Sequence, residues 1–248
     1  MLLKMKRSII AFMLCCAIFQ GGSVAAELEE DLSPFLAPAK FVDSGHPAIA
    51  NKAKELTAGC VSAEEKARRL FEFVRDTYTT DECPSFVASE VLTCGGNSCR
   101  QRSILLAALC RAAGIPARLH LQKVTLKNWR REDGTVIADY IFAHGITGIY
   151  LRGRWLLYET VGNREKWRVW TQDEARVKEM PVPFSAEQDC LFRADDRILI
   201  ETLPVFFADR TPELISLIER IDSEKSPTTS GSVPGSTRAL SALTGRAS

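Results

Sequence analysis

Gly96-Asn97-Ser98-Cys99-Arg100-Gln101, running on through Arg102-Ser103-Ile104-Leu105-Leu106-Ala107-Ala108-Leu109-Cys110-Arg111-Ala112-Ala113 to Gly114-Ile115-Pro116-Ala117-Arg118, decides how this chain is read. A glycine-containing turn delivers a cysteine to the start of an apolar run that predicts a helix over 98–113. Ile104, Leu105, Ala108, Leu109 and Ala112 cover much of its circumference, so this helix is expected to be buried on most sides. Gly114 suits a left-handed cap, and Pro116 forbids continuation. A thiol at a helix start sits where unpaired N–H groups and the helix dipole stabilise its thiolate. Cys99 is therefore a candidate nucleophile, and such a group needs a base and something to orient that base.

The chain has three histidines, which makes the search short. His46 precedes a proline at a helix start and reads as a cap or surface residue. His120 alternates with Leu119 and Leu121 on the strand after the central helix and reads as structural. His144 opens a predicted strand over 144–151. After the tight turn Arg152-Gly153, a second strand over 154–160 carries Glu159 near its end. In an antiparallel hairpin the start of one strand lies opposite the end of the next. His144 and Glu159 are therefore expected neighbours across the ladder. A general base and the carboxylate that holds its tautomer require that arrangement.

Around this centre the periodicity predicts helices first and strands afterwards. His46-Pro47 opens a helix through 56. Ser62-Ala63-Glu64-Glu65 is a capping box, and Ala67, Leu70, Phe71, Val74 and Tyr78 give the helix after it an apolar face. A loop over 79–93 contains a helical piece around 87–92. Strand-like runs follow over 117–126, 135–142, 144–151 and 154–160. Thr171-Gln172-Asp173-Glu174 caps a short helix stopped by Pro181. Residues 197–207 read as a last strand pair or an extended edge, and Thr211-Pro212-Glu213 starts a final helix. The pattern predicts an α+β fold with an antiparallel sheet.

The 248 residues fit one sizeable domain with appendages. Lys4, Lys6 and Arg7 precede the apolar run 9–19, and Val24-Ala25-Ala26 offers small residues for cleavage. Residues 1–26 are expected to be a signal peptide, too short for a comfortable membrane span. The domain is then expected over 27–222, with its core at 47–160 and a C-terminal extension at 161–222. The Ser-, Thr-, Pro- and Gly-rich stretch 223–248 is expected to be a disordered tail. Cleavage removes three bases and no acid, taking the net charge from +1 to −2. That balance gives no electrostatic reason for a nucleic-acid partner. The basic-aromatic clusters at 127–131 and 164–168 read as solvated loops with arginine stems on tryptophan.

Six cysteines remain after cleavage, and an oxidising compartment favours pairing. Cys83 with Cys94 forms an expected disulfide flanking the approach to Cys99, and Cys60 with Cys190 would complete the count. Cys110, inside the apolar helix, is expected to remain a buried thiol. The spacings match no zinc pattern.

Gly-x-x-Cys99 followed by Leu-Leu-x-Ala-Leu-Cys-Arg-Ala-Ala-Gly-Ile-Pro-Ala-Arg, then His144 and Tyr150-Leu-x-Gly153-x-Trp155, resembles the transglutaminase-like superfamily of papain-type thiol enzymes. The resemblance covers roughly residues 47–160. It implies a papain/transglutaminase-like fold whose nucleophilic cysteine starts a central buried helix packed on an antiparallel sheet. It also implies a triad of Cys99, His144 and, in the place of the family aspartate, Glu159. Asn163 is an alternative orienter, since papain-type enzymes use asparagine there. Gly145-Ile146-Thr147 replaces the family's Ala-Trp, so an aromatic wall is missing or comes from elsewhere. The implied chemistry is acyl transfer at amide bonds through a Cys99 thioester, hydrolysis (peptidase or deamidase) rather than crosslinking. The Cys99 N–H is expected in the oxyanion hole, with Gln101 or Asn97 as candidate second donors. No metal or other cofactor is implied. The implied partner is a protein or peptide substrate, in the periplasm or outside the cell, and not a nucleic acid. Two rivals stand beside this reading. One is an inactive transglutaminase-like binding module of the cell envelope; the other is a structural protein in which Cys99 is disulfide-bonded.

Overall fold

Helix α4 (Cys99–Ala112) forms where its caps dictate. Ser98 is the N-cap: its Oγ accepts the Gln101 N–H at 3.2 Å, and the Gln101 Oε1 accepts the Ser98 N–H at 3.1 Å. This reciprocal pair satisfies two N–H groups that a helix start leaves without partners. Gly114, with φ of 79°, terminates the helix in the left-handed conformation that glycine adopts without strain. Leu105, Leu106 and Leu109 are fully buried, each contributing about 1.5–3 kcal/mol of burial. α4 packs against α1 (Pro47–Leu56), α2 (Ala63–Thr77) and α3 (Ala88–Cys94) on one side and against the sheet on the other.

The computed structural model describes residues 30–77, 83–96, 98–128, 139–160, 168, 178 and 180–224. From Leu32 these belong to one compact unit. The expected signal peptide, most of the 223–248 tail, Tyr78, Asn97, Asn163, the capping box at Thr171 and most of both basic-aromatic clusters lie outside the described residues.

The sheet is antiparallel, in the order β3-β2-β1-β4, from β1 (Ala117–Lys127), β2 (Asp139–Leu151), β3 (Arg154–Tyr158) and β4 (Ile198–Phe207). Helices precede strands, as the periodicity predicts, and the mixed helix and antiparallel-sheet class is the observed one. The capping box of α2 forms, with the Glu65 N–H on the Ser62 Oγ at 3.1 Å and the Val61 N–H on the Glu65 carboxylate at 2.9 Å. Arg152 and Gly153, both at positive φ, make the two-residue turn between β2 and β3. Residues 197–207 yield one edge strand. The final helix, α5 (Pro212–Ser223), buries Leu214, Ile218 and Ile221.

Two expectations are corrected. The runs 135–142 and 144–151 belong, over their described residues, to a single strand, because β1 pairs with β2 without interruption from Lys127↔Asp139 to Ala117↔Ile149. His144 thus lies inside a strand, not at its start. Cys60 and Cys190 are both free thiols. Cys190 is buried inside its own turn, where its sulfur accepts the Ser185 N–H at 3.0 Å. Its backbone instead extends the sheet, pairing with the end of β3: Cys190 N–H to the Leu157 carbonyl and Glu159 N–H to the Cys190 carbonyl, at 2.8 and 2.9 Å. Cys83 and Cys94 are disulfide-bonded, and Cys110 is a buried free thiol pushed up by desolvation.

Candidate active site

Cys99 is the first residue of α4, so its N–H has no acceptor within the helix and the dipole favours negative charge at its sulfur. Strand β2 passes unusually close. A Cβ on Gly145 would stand 2.9 Å from the Arg100 Cα, so only glycine allows this approach. The gap is closed by the Gly145 N–H, which donates to the Cys99 Sγ at 3.4 Å. The Gly145 departure from the family pattern therefore has a steric reason in this chain.

His144 stands between the thiol and Glu159. Its Nε2 is hydrogen-bonded to the Glu159 carboxylate, and the thiol is the other group acting on the ring's charge. The structure brings the three predicted residues together, but not as ladder partners. The β2–β3 ladder ends at Thr147↔Tyr158, and Glu159 reaches His144 from just beyond it. The cysteine is 8% exposed, and the histidine and glutamate are fully buried. Desolvation opposes charge on the imidazole, but the Glu159 carboxylate and the Cys99 thiolate outweigh it and push the pKa up to about 10. Burial likewise opposes the thiolate. The charge of His144, the Arg100 guanidinium and the Gly145 N–H outweigh it and lower the thiol's pKa. Both shifts favour the thiolate and imidazolium forms of the pair.

The aromatic surroundings come from residues the motif does not name. Phe192 and Phe142 meet the imidazole edge-on, at centroid distances of 5.5 and 6.0 Å. Gln101 is not a second oxyanion donor, because its amide N–H groups are bound to the Cys83 and Ser85 carbonyls, both at 2.7 Å. It fixes the disulfide-bearing segment to the first turn of α4. His120 is structural, as the sequence indicates. Burial and the neighbouring Arg118 lower its pKa to about 4, and its Nε2 accepts the Arg118 Nε–H at 2.9 Å.

Two positions escape sequence reasoning. Arg102 is fully buried one turn after Cys99, and its guanidinium donates to the Thr160 carbonyl at 2.9 Å. It ties α4 to the residue after Glu159; its one sequence signal is a charge within an apolar helix. Asp222 leaves no such signal, because one of its partners is the N–H of Ala143. Among the described residues, no group of three or more His, Cys, Asp or Glu side chains could hold a metal ion.

Residues 50–160 match the family described as the Transglutaminase-like superfamily. Among solved structures, the chain is similar to one named "Putative Cysteine Protease" from Cytophaga hutchinsonii, with 21% identity and a TM-score of 0.42, covering 54% of this chain and 43% of that one. It is also similar to one named "Putative Protease" from Parabacteroides distasonis, with 15% identity and a TM-score of 0.31, covering 51% of this chain and 24% of that one. The chain thus spans less than half the length of either. No curated protein matches it.

Proposed function

From the match of residues 50–160 to the transglutaminase-like superfamily and the geometry above, we propose that the chain is an exported thiol enzyme acting on amide bonds through an acyl-enzyme on Cys99. The observation that carries this reading is the buried line Cys99, His144, Glu159 with the thiol at the head of α4. The Cys99 thiolate attacks the amide carbonyl carbon, and the carbonyl oxygen takes up the negative charge. The Cys99 N–H faces that oxygen as one oxyanion donor. Collapse of the tetrahedral intermediate breaks the C–N bond, and the His144 imidazolium gives its proton to the departing amine. Water then gives a proton to the neutral imidazole and attacks the thioester. The carboxylic acid leaves, and the thiolate–imidazolium pair is restored. Glu159 keeps the ring oriented and stabilises its charge throughout.

Hydrolysis, as peptidase or deamidase, is the proposed outcome in preference to crosslinking, with a protein or peptide as substrate. The Cys83–Cys94 disulfide supports an oxidising compartment, periplasmic or extracellular. The rival reading, an inactive binding module, draws on the near-complete enclosure of the three side chains. Acyl-enzyme capture separates the two. The protein is incubated with N-blocked peptide and glutamine substrates, quenched in acid and weighed intact. An adduct on Cys99 that hydroxylamine releases, absent in Cys99→Ala, supports the enzyme. No adduct and no product from any amide substrate supports the binding module.

A further inference from the structure

The edge of β2 that carries His144 extends past the end of β3. The β2–β3 ladder stops at Thr147, so the N–H groups of Ala143 and Gly145, two residues apart on one edge, find partners in side chains instead. Gly145 donates to the Cys99 sulfur at 3.4 Å. Ala143 donates to the Asp222 Oδ1 at 2.7 Å, and the Asp222 Oδ2 accepts from the Arg100 guanidinium at 2.9 Å. One carboxylate from the last turn of α5 therefore holds both the residue after Cys99 and the residue before His144. A charged acceptor shared between a main-chain N–H and a guanidinium forms two charge-assisted hydrogen bonds. The clamp is only partly shielded, with the Asp222 side chain 28% exposed. It adds to the other contacts between these two elements, the Gly145 N–H on the Cys99 sulfur, the Thr147 hydroxyl on the Ser103 carbonyl at 3.1 Å and the close packing of Gly145 on Arg100.

We propose that Asp222 is a positioning residue that fixes the helix bearing Cys99 against the strand bearing His144. Its carboxylate sets the distance at which thiolate and imidazolium form. The inference rests on the thiol–imidazole reading above. Without the clamp, the Arg100 end of α4 is no longer tied to Ala143 of β2, the pair loosens and the thiol behaves more like an ordinary one.

The test is a double-mutant cycle on the full chain, reading the rate of Cys99 alkylation by iodoacetamide against pH. Asp222→Ala is expected to slow alkylation roughly tenfold near neutrality and to move the inflection of the rate profile to higher pH. The same substitution in a His144→Ala background is expected to change the rate less than about twofold, because the pair it positions is already gone. An unchanged rate in the wild-type background, or equal slowing in both backgrounds, overturns the proposal. Should Asp222→Ala not fold, Asp222→Asn enters the same cycle, with a smaller slowing and the same dependence on His144. Failure of the underlying reading is separate and visible: His144→Ala alone would then leave the rate unchanged.

Discussion

At the residue scale, His144 is held charged at a pH where a histidine is ordinarily neutral. Its raised pKa, about 10 against an ordinary 6.5, means that its protonated form stabilises the fold fully below the ordinary value. That contribution is lost as pH rises through about 10. The lowered thiol has the opposite sign: it contributes above the ordinary thiol value and is lost as pH falls through the lowered one. Between those limits the two charges support each other. Glu159→Gln removes the carboxylate that anchors Nε2 and is expected to reduce turnover of an amide substrate about a hundredfold. Steady-state kcat with an unchanged circular-dichroism spectrum checks it. The proximity of Cys99, His144 and Glu159 is legible in the sequence from a helix start, a hairpin and three histidines, although Glu159 reaches His144 from beyond the ladder and not across it. Arg102 and Asp222 are not legible, since what they bind, the Thr160 carbonyl and the Ala143 N–H, is backbone that carries no side-chain pattern.

At the element scale, the decisive contact is α4 on β2. Gly145→Ala puts a methyl group 2.9 Å from the Arg100 Cα and 3.1 Å from the Ser103 Oγ. Backbone cannot yield there as a flexible side chain would. The expected cost is about 1–3 kcal/mol, read as a lower urea midpoint, with slower Cys99 alkylation because the strand moves off the helix end. The elements themselves are well signalled by the Ser62 capping box, the Arg152-Gly153 turn and the apolar face of α2. The continuity of β2 is not. Whether a strand breaks at Ala143 depends on how far β1 runs beside it, and that long-range pairing has no local trace. The same holds for residue 190, whose backbone joins the end of β3 although its sequence suggests only a disulfide partner.

At the scale of the whole molecule, Arg111 joins regions far apart in sequence. From the last turn of α4 it donates to the Ala117, Ala37 and Ala208 carbonyls, at 2.6–2.9 Å. Burial depresses its pKa to about 10, so the cation is retained near neutrality. Arg111→Leu leaves these carbonyls without their donor and is expected to cost about 3–5 kcal/mol, enough to lower the melting temperature by roughly 10 °C or more. Asp209 acts alongside it, accepting the Phe41 and Val42 N–H groups at 3.0 Å and binding the lead segment to the end of β4. The fold thus fixes α4 at both ends, through Arg111 at its last turn and through Asp222 and Gly145 at its head, and the proposed chemistry depends on what that does to one sulfur. The most direct measurement is the rate of Cys99 alkylation by iodoacetamide from pH 5 to 10, in the wild type and in His144→Ala. The account predicts a rate that stays nearly flat through neutrality in the wild type. In the variant it should fall about a hundredfold at pH 6 and regain a thiol-like rise toward alkaline pH. A wild-type thiol that titrates near its ordinary value and does not respond to the loss of His144 would contradict it.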